Sequence, residues 1–270
     1  MNLSTWLGFG AHLANLDDPP EEVYMQLDRA QPELIITMWG YTRHKRAVYD
    51  RIEALARFWE RKPIYCVRLG AGVMDDKGVV NDYRAALEQI PAQVITEERL
   101  IFRLLNEINL PEEGYADAPH KYAELFYALR VKCPFPLLVS NLCLNEGWEY
   151  YLRALRDCGL NEVADGWAMS LYADSANPLT IMPYLALGKP LIAVEFGIPW
   201  YRGAQRAQWW QQAGTALKAS GVSGLAIFII GGETGGHWPA EYILDEYEAC
   251  AASRVRRELR ISPFVRSLPV

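Results

Sequence analysis

Short apolar runs alternate with longer amphipathic segments along the whole chain. Eight of these runs are apolar at consecutive positions, as is typical of parallel strands buried on both faces. The pattern predicts strands over Trp6–Leu13, Leu34–Tyr41, Ile64–Leu69, Leu100–Asn106, Leu137–Leu142, Gly166–Tyr172, Leu191–Phe196 and Gly224–Ile230.

The segments between these runs have helical periodicity. In one of them, Val48, Ile52 and Leu55 fall on a single face. Several segments carry a proline near their first turn, which favours the start of a helix. We predict helices over Pro20–Ala30, Lys45–Glu60, Val80–Ile90, Pro119–Val131, Glu146–Cys158, Pro178–Leu187, Arg202–Ser220 and Pro239–Leu259.

Repeated strand–helix units predict the α/β class, with a closed parallel sheet covered by helices. The count of eight favours a single (β/α)8 TIM barrel over a doubly wound open sheet, although an open sheet of six or seven strands stays an alternative. A length of 270 residues without a Gly/Ser/Pro-rich linker predicts one domain over 1–270. The basic tail at about 253–270 is better explained as the solvated end of the last helix than as a docking site for an anionic partner.

Composition narrows the classes of function. The chain is 51% hydrophobic, which supports a large core and argues against disorder. Its net charge of −6 gives no electrostatic footprint for nucleic acid or an anionic membrane, so a neutral substrate suits it best. The five cysteines are odd in number and form no CxxC pair, so we expect buried hydrophobes rather than disulfides or a metal site, and no cofactor.

The N-terminal segment MNLSTWLGFGAHLA lacks a basic region followed by a long apolar stretch, so it predicts a first strand rather than a signal peptide. No stretch approaches the length of a membrane span. We therefore expect a protein that is cytoplasmic as synthesised, from which release by lysis is possible.

Two acidic residues stand where apolar strands end. Glu107 follows Leu104-Leu105-Asn106, and Glu195 follows Ile192-Ala193-Val194. A carboxylate in such a place costs several kcal/mol unless it is paired or reached by solvent. Active sites of these barrels lie at the carboxyl ends of the strands, where two carboxylates are what cleavage of a glycosidic bond requires.

Other polar and aromatic side chains are predicted at the same end of the barrel. The candidates for binding substrate or supporting the carboxylates are Asn106, Tyr172, Arg68, His12, Trp39, Asn141, Trp200 and Trp238. The three tryptophans offer flat apolar faces for sugar rings. For His12 a hydrogen-bonded role at the barrel end is favoured over catalysis, whereas Asn141 is equally suited to holding a loop or contacting sugar.

Asn106-Glu107 on strand four together with Glu195 on strand seven resembles glycoside hydrolase clan A, the cellulase-like retaining (β/α)8-barrel superfamily. The resemblance extends over the strand order of nearly the whole chain. It implies that Glu107 is the acid/base and that Asn106 binds the sugar 2-hydroxyl. It also implies that Glu195 is the nucleophile and accepts a hydrogen bond from Tyr172.

The chain departs from the clan pattern at several positions. Ile108 follows Glu107 where the clan often has proline, and Ser170 stands where a histidine is frequent. Phe228-Ile229-Ile230 replaces the usual tryptophan at the end of strand eight, and the nearest arginine, Arg68, is on strand three rather than strand two. These departures concern subfamily and substrate more than reaction class.

Local geometry sets a further expectation. Burial after a hydrophobic strand should raise the pKa of Glu107. Asn106 and Glu107 are neighbours, and neighbours on a regular strand point to opposite faces. Both can serve one site only if a bulge or the end of strand pairing turns one of them.

The leading hypothesis is a retaining β-glycoside hydrolase that acts through a covalent glycosyl-enzyme, with an oligo- or polysaccharide as its partner and neither nucleic acid nor membrane. A phage-type cell-wall-lytic muramidase would use the same carboxylates. A catalytically silent carbohydrate-binding barrel is a third hypothesis. Glu107 as a loop carboxylate, and Glu195 paired structurally with Arg68 or Arg103, are the non-catalytic alternatives.

Overall fold

Eight parallel strands follow one another in chain order around a closed barrel, in which β1 pairs with both β2 and β8. The computed structural model describes residues 1–12, 32–39, 62–70, 72–172, 175–197 and 205–228. The strands are β1 Gly8–His12, β2 Leu34–Trp39, β3 Ile64–Leu69, β4 Leu100–Leu104, β5 Leu137–Val139, β6 Gly166–Tyr172, β7 Leu191–Gly197 and β8 Gly224–Phe228. The predicted (β/α)8 barrel is confirmed.

Helices connect the strands within the described ranges. They are α1 Asp76–Gln89, α2 Ala92–Thr96, α3 Pro119–Arg130, α4 Trp148–Asp157, α5 Leu160–Val163, α6 Pro178–Leu185 and α7 Gln205–Ala219, with a 3-10 turn at Pro111–Glu113. The predicted helices over Pro20–Ala30, Lys45–Glu60 and Pro239–Leu259, and the basic tail, lie outside the described residues.

Several boundaries differ from the predictions for local reasons. Helix α1 starts before the predicted Val80 because the Asp75 side chain accepts a hydrogen bond from Gly78 N and caps it. Strand β5 ends at Val139 rather than Leu142, and β4 ends at Leu104 rather than Asn106, because pairing with the neighbouring strands stops there. The short helices α2 and α5 were not predicted from the sequence.

The core has two layers. An inner cluster fills the barrel and includes Leu34, Ile101, Leu138 and Val194, while an outer cluster packs the strands against the helices. The alternation of strand side chains explains this division, since Ile101 belongs to the inner cluster and Phe102 to the outer one. Within the described ranges, no helix is both long and apolar enough to cross a membrane.

Candidate active site

The chain bends where β4 ends, just before Glu107. Leu105 N donates a 2.8 Å hydrogen bond to Leu69 O, after which regular pairing ceases. Leu105 and Glu107 have φ values of 60° and 40°, which is uncommon for residues other than glycine. The outer core contains both Leu104 and Leu105, so the alternation of side chains between the two faces of the strand ends here. The expected end of pairing therefore occurs in strand four.

A bulge in β7 sets the direction of Glu195. Met169 pairs with Ala193, but the next residue, Ser170, pairs with Glu195, so Val194 is passed over. Such bulges re-aim side chains beside active sites. Here the bulge brings Glu195 against Ser170 with only 4% of its surface exposed.

Two hydroxyl groups of β6 donate to the same oxygen of Glu195. Ser170 Oγ lies 3.0 Å and Tyr172 Oη 2.8 Å from Oε2, while His12 Nε2 lies 3.9 Å from Oε1. Donors of this kind stabilise the charged form of a carboxylate. Burial, and then the charge of Glu195, raise the pKa of Tyr172 well above its ordinary value, so its hydroxyl stays a donor.

Glu107 has a contrasting environment. Burial first, and then the negative charge of Glu195, raise the pKa of Glu107 to about 7. The charge of Arg103 and the nearby Ser170 hydroxyl oppose the rise. One carboxyl group is thus inclined to hold a proton near neutral pH while its neighbour is surrounded by donors, which is the pattern of an acid paired with a nucleophile.

Arg103 is fully buried, and its charge acts on Glu107. Its Nη1 donates to Asn106 Oδ1 over 2.9 Å and also to Asn141 Oδ1. The sequence suggests Arg103 only as a structural partner of Glu195, whereas in the structure it holds two amides. An arginine within the apolar run Ile101–Leu104 was the signal for this role.

Arg68 is half-buried on β3, where it pairs in register with Arg103. Burial, followed by the charge of Arg103, lowers the pKa of Arg68 to about 10, while Glu195, Glu113 and Glu107 act in the opposite direction. Arg68 is therefore cationic at neutral pH and interacts with three carboxyl groups. Burial raises the pKa of Glu113, and the charge of Arg68 opposes this rise.

Asn109 joins the loops that follow β4 and β5, a role that sequence analysis missed. Its Oδ1 accepts from Cys143 N over 2.9 Å, and its Nδ2 donates to Cys143 O over 2.8 Å and to Asn145 Oδ1 over 3.0 Å. Nearby, Tyr122 Oη accepts from Ser140 N over 2.8 Å. These bonds fix the β4 end, which carries Glu107, to the end of β5.

The structure brings seven of the predicted site residues to one end of the barrel: Glu107, Glu195, Asn106, Tyr172, Arg68, His12 and Asn141. Asn141 is fully buried and both ends of its amide are bonded within the protein, which favours its holding role over contact with sugar. Trp39 ends β2, but its side chain is outside the described set, as are Trp200 and Trp238.

Metal ligation was not expected from the sequence. Among the described side chains, no cluster of three or more His, Cys, Asp or Glu residues could hold a metal ion. Cys66 and Cys133 are buried free thiols, and Cys143 and Cys158 are half-buried free thiols.

No protein-family model and no curated protein matches this sequence. Solved structures do share its fold. A GH5 xyloglucan-specific endo-β-1,4-glucanase from a metagenomic library, in complex with cellotriose, superposes with a TM-score of 0.59 at 14% identity, covering 91% of this chain and 96% of the other.

Two further structures are comparable. A GH128 endo-β-1,3-glucanase from Amycolatopsis mediterranei, in complex with laminaritriose, gives a TM-score of 0.56 at 12% identity over 90% of this chain and 99% of that one. The endo-β-1,4-mannanase from Thermotoga petrophila gives 0.55 at 13% identity over 92% and 78%. GH5 and GH128 both belong to clan A. The resemblance drawn from the sequence is confirmed at the level of the fold.

Proposed function

We propose that this protein is a retaining β-glycoside hydrolase. The observation that carries the proposal is the contrast between two carboxyl groups at one barrel mouth. Glu195 is buried and accepts hydrogen bonds from Ser170 and Tyr172, whereas the pKa of Glu107 is raised by burial and by the charge of Glu195. One group suits a nucleophile and the other a general acid.

In the first step, Glu195 attacks the anomeric carbon while Glu107 transfers its proton to the departing glycosidic oxygen. The carbon–oxygen bond to the leaving sugar breaks, and an ester forms between the sugar and Glu195. The hydrogen bonds from Ser170 and Tyr172 hold Glu195 in place for this attack. Tyr172 lies 2.8 Å from the carboxylate oxygen and remains protonated through the pH range of interest.

In the second step, Glu107 acts as the base. Once Glu195 is esterified its negative charge is gone, and with it one of the causes that raise the pKa of Glu107. Glu107, having given up its proton, then takes one from water, which attacks the anomeric carbon and releases Glu195. The charge of Arg103, which lowers the pKa of Glu107, favours the ionised form at this stage.

Asn106 is placed to assist the same reaction. Its Oδ1 accepts from Arg103 over 2.9 Å, which leaves the Nδ2 group as the end available to a sugar hydroxyl. We assign Asn106 to the 2-hydroxyl beside the anomeric carbon, where hydrogen bonds strengthen in the transition state.

The proposed substrate is a neutral β-linked oligo- or polysaccharide. The net charge of −6 disfavours polyanions. The structures that share the fold include enzymes named for xyloglucan, β-1,3-glucan and mannan. A role in binding alone gives no reason to keep two carboxylates in a site where their burial and mutual repulsion cost free energy.

A substrate panel tests the proposal. Purified protein is assayed on 2,4-dinitrophenyl β-glucoside, β-cellobioside, β-laminaribioside and β-mannobioside, on glucans and mannans, and on bacterial cell walls. We expect turnover of at least one β-glycoside that is lost in Glu195→Gln and kept in Glu149→Gln, an exposed helix carboxylate. Lysis of cell walls without turnover of any glycoside would favour the muramidase, and no turnover of anything would favour a binding barrel.

A further inference from the structure

A continuous line of buried hydrogen bonds leads from the inside of the barrel to Glu195. Arg103 Nη1 donates to Asn141 Oδ1, and Asn141 Nδ2 donates to Ser170 Oγ over 2.6 Å. Ser170 Oγ then donates to Glu195 Oε2 over 3.0 Å. Arg103 lies on β4, Asn141 lies just beyond the end of β5, and Ser170 lies on β6. Each of the three residues is at most 3% exposed.

The direction of this line is fixed by its chemistry. An arginine can only donate, so Asn141 must turn its carbonyl oxygen towards Arg103 and its NH2 towards Ser170. Because Ser170 Oγ accepts a hydrogen bond from this NH2 group, its single hydrogen is left to donate to the Glu195 carboxylate. Arg103 thus determines which way Asn141 points, and Asn141 determines which way the Ser170 hydroxyl points.

Arg103 occupies a buried position of the barrel core that an apolar residue would normally fill. The inner cluster below it is formed by Ile101, Leu138 and other apolar side chains. Its Nε and Nη2 have no hydrogen-bond partner among the residues that the structure describes. A buried cation with unused donors destabilises the fold compared with a hydrophobic residue, so its presence points to a role at the site above it.

We propose that Arg103, Asn141 and Ser170 form a positioning chain, anchored at Arg103, that orients Glu195 for attack on the anomeric carbon. The proposal rests on the proposed function. None of the three residues is assigned a contact with substrate. Arg103 and Asn141 act through the next member of the chain, and Ser170 acts on the Glu195 carboxylate itself. Because Arg103 also donates to Asn106 over 2.9 Å, the same guanidinium aligns the amide beside Glu107.

The charged and titratable groups around Glu195 come from several strands. Among the described residues they are His12 on β1, Arg68 on β3, Arg103 on β4 with Glu107 just beyond it, Cys143 beyond β5, and Tyr172 on β6. Removing a neutral donor such as Ser170 leaves all of these charges in place. Because Ser170 also lowers the pKa of Glu107, the pH dependence is measured with a substrate that needs no proton from Glu107, where a change reports the hydrogen bond to Glu195.

The test isolates the attack by Glu195. A 2,4-dinitrophenyl β-glycoside needs no acid assistance, so kcat/KM for the fastest such substrate of the panel reports formation of the glycosyl-enzyme without Glu107. We expect Ser170→Ala and Asn141→Ala each to lower this kcat/KM roughly 10- to 100-fold, the loss typical for a hydrogen bond to a charged group. Both variants should move the acid limb of the pH profile to higher pH.

Coupling distinguishes a chain from independent contacts. The double variant Asn141→Ala/Ser170→Ala should lose no more than Ser170→Ala alone, because Asn141 acts only through Ser170. Ser170→Ala/Tyr172→Phe should instead show multiplied losses, because the two hydroxyls reach Glu195 separately. Multiplied losses in the first pair, or wild-type kinetics in Asn141→Ala, would overturn the chain.

Asn161 provides a matched control. Both ends of its amide are also bonded: Nδ2 donates to Leu187 O, and Oδ1 accepts from Trp167 Nε1. Asn161 lies at the opposite end of the barrel from Asn141. Asn161→Ala should lower the melting temperature and leave kcat/KM and the acid limb unchanged. The same kinetic changes in Asn161→Ala would show that Asn141 acts only through stability.

Arg103 is tested by Arg103→Lys, which keeps the charge and loses the planar fork. We expect a fall in kcat/KM of roughly tenfold and little further loss when Asn141→Ala is added. If this variant does not fold, the Asn141 and Ser170 cycle decides the question by itself. An inactive wild type would overturn the proposed function and the positioning chain with it. If the wild type is active and depends on Glu195, but the losses of Asn141→Ala and Ser170→Ala multiply, only the positioning chain is overturned.

Discussion

Tyr172 donates a hydrogen bond to Glu195 across the β6–β7 pair, with 2.8 Å between Oη and Oε2. Ser170, two residues earlier, donates to the same oxygen. Residues two apart on a strand share a face, so one stretch of β6 provides both donors. The bulge at Val194 brings Glu195 against both hydroxyl groups.

Replacement of either carboxyl group should abolish turnover without unfolding the protein. Glu107→Gln and Glu195→Gln should each lower kcat by several orders of magnitude, because an amide can neither protonate a leaving group nor attack an anomeric carbon. Steady-state kinetics and circular dichroism measure the two parts, with Glu149→Gln as the exposed control. Near wild-type turnover in either variant would remove that residue from its role.

The first product should keep the configuration of the substrate. Retaining enzymes hold their two carboxyl groups about 5–5.5 Å apart, and inverting enzymes about 6.5–9.5 Å apart, so that water fits between them. We expect the carboxyl groups of Glu107 and Glu195 to have the retaining spacing of about 5–5.5 Å, so proton NMR at early times should show the β-anomer before mutarotation. An α-anomer appearing first would replace the covalent mechanism with single displacement.

Azide should separate the roles of the two glutamates. In Glu107→Ala a substrate with a good leaving group still forms the glycosyl-enzyme, which then accumulates because no base activates water. Added azide needs no deprotonation and should release a β-glycosyl azide. Glu195→Ala should give the α-azide, because azide enters from the opposite face. NMR of the products identifies the anomers, and the reverse assignment would exchange the two roles.

Glu107 should make stability depend on pH. The folded protein holds the Glu107 proton up to a pH of about 7, against an ordinary value of 4.5, so the folded state binds more protons than the unfolded state in this window. The free energy of unfolding of the wild type must then fall as the pH rises across it.

Glu107→Gln cannot ionise and should escape this loss. At pH 8 the variant should exceed the wild type by on the order of 1–3 kcal/mol, allowing for solvent screening of a half-buried group, and the difference should vanish near pH 4. Urea titrations at both pH values measure it. A difference independent of pH would mean that the ionisation of Glu107 is not its cause.

Arg68 should support the ionised Glu195. Its guanidinium interacts with Glu195, Glu113 and Glu107, so Arg68→Met should move the acid limb of the pH profile to higher pH. The Glu113→Gln variant removes one of the two carboxylates of the 3-10 turn and tests whether Arg68 acts mainly on Glu113. Equal effects of the two variants, without addition in the double variant, would assign Arg68 to Glu113 instead.

The sequence determined the architecture and the two central residues of this protein. Consecutive apolar positions mark strands buried on both faces, and their repetition with helical segments leaves a closed parallel barrel as the arrangement that buries them all. The ends of those strands lie at one rim, so Glu107, Glu195 and Tyr172 could be assigned to it from their order alone. Each inference needed only local pattern and the rules of strand connection.

Only the tertiary structure decided how those residues are aimed and held. The bulge that passes over Val194, the left-handed Leu105 and the contact of Arg103 with Asn141 depend on the register between strands that are far apart in sequence. Register is chosen by the packing of the whole barrel, and a shift of one residue exchanges the two faces of a strand. Local sequence carries the periodicity of a strand, whereas the side chain that it meets across the barrel is fixed only when the sheet closes.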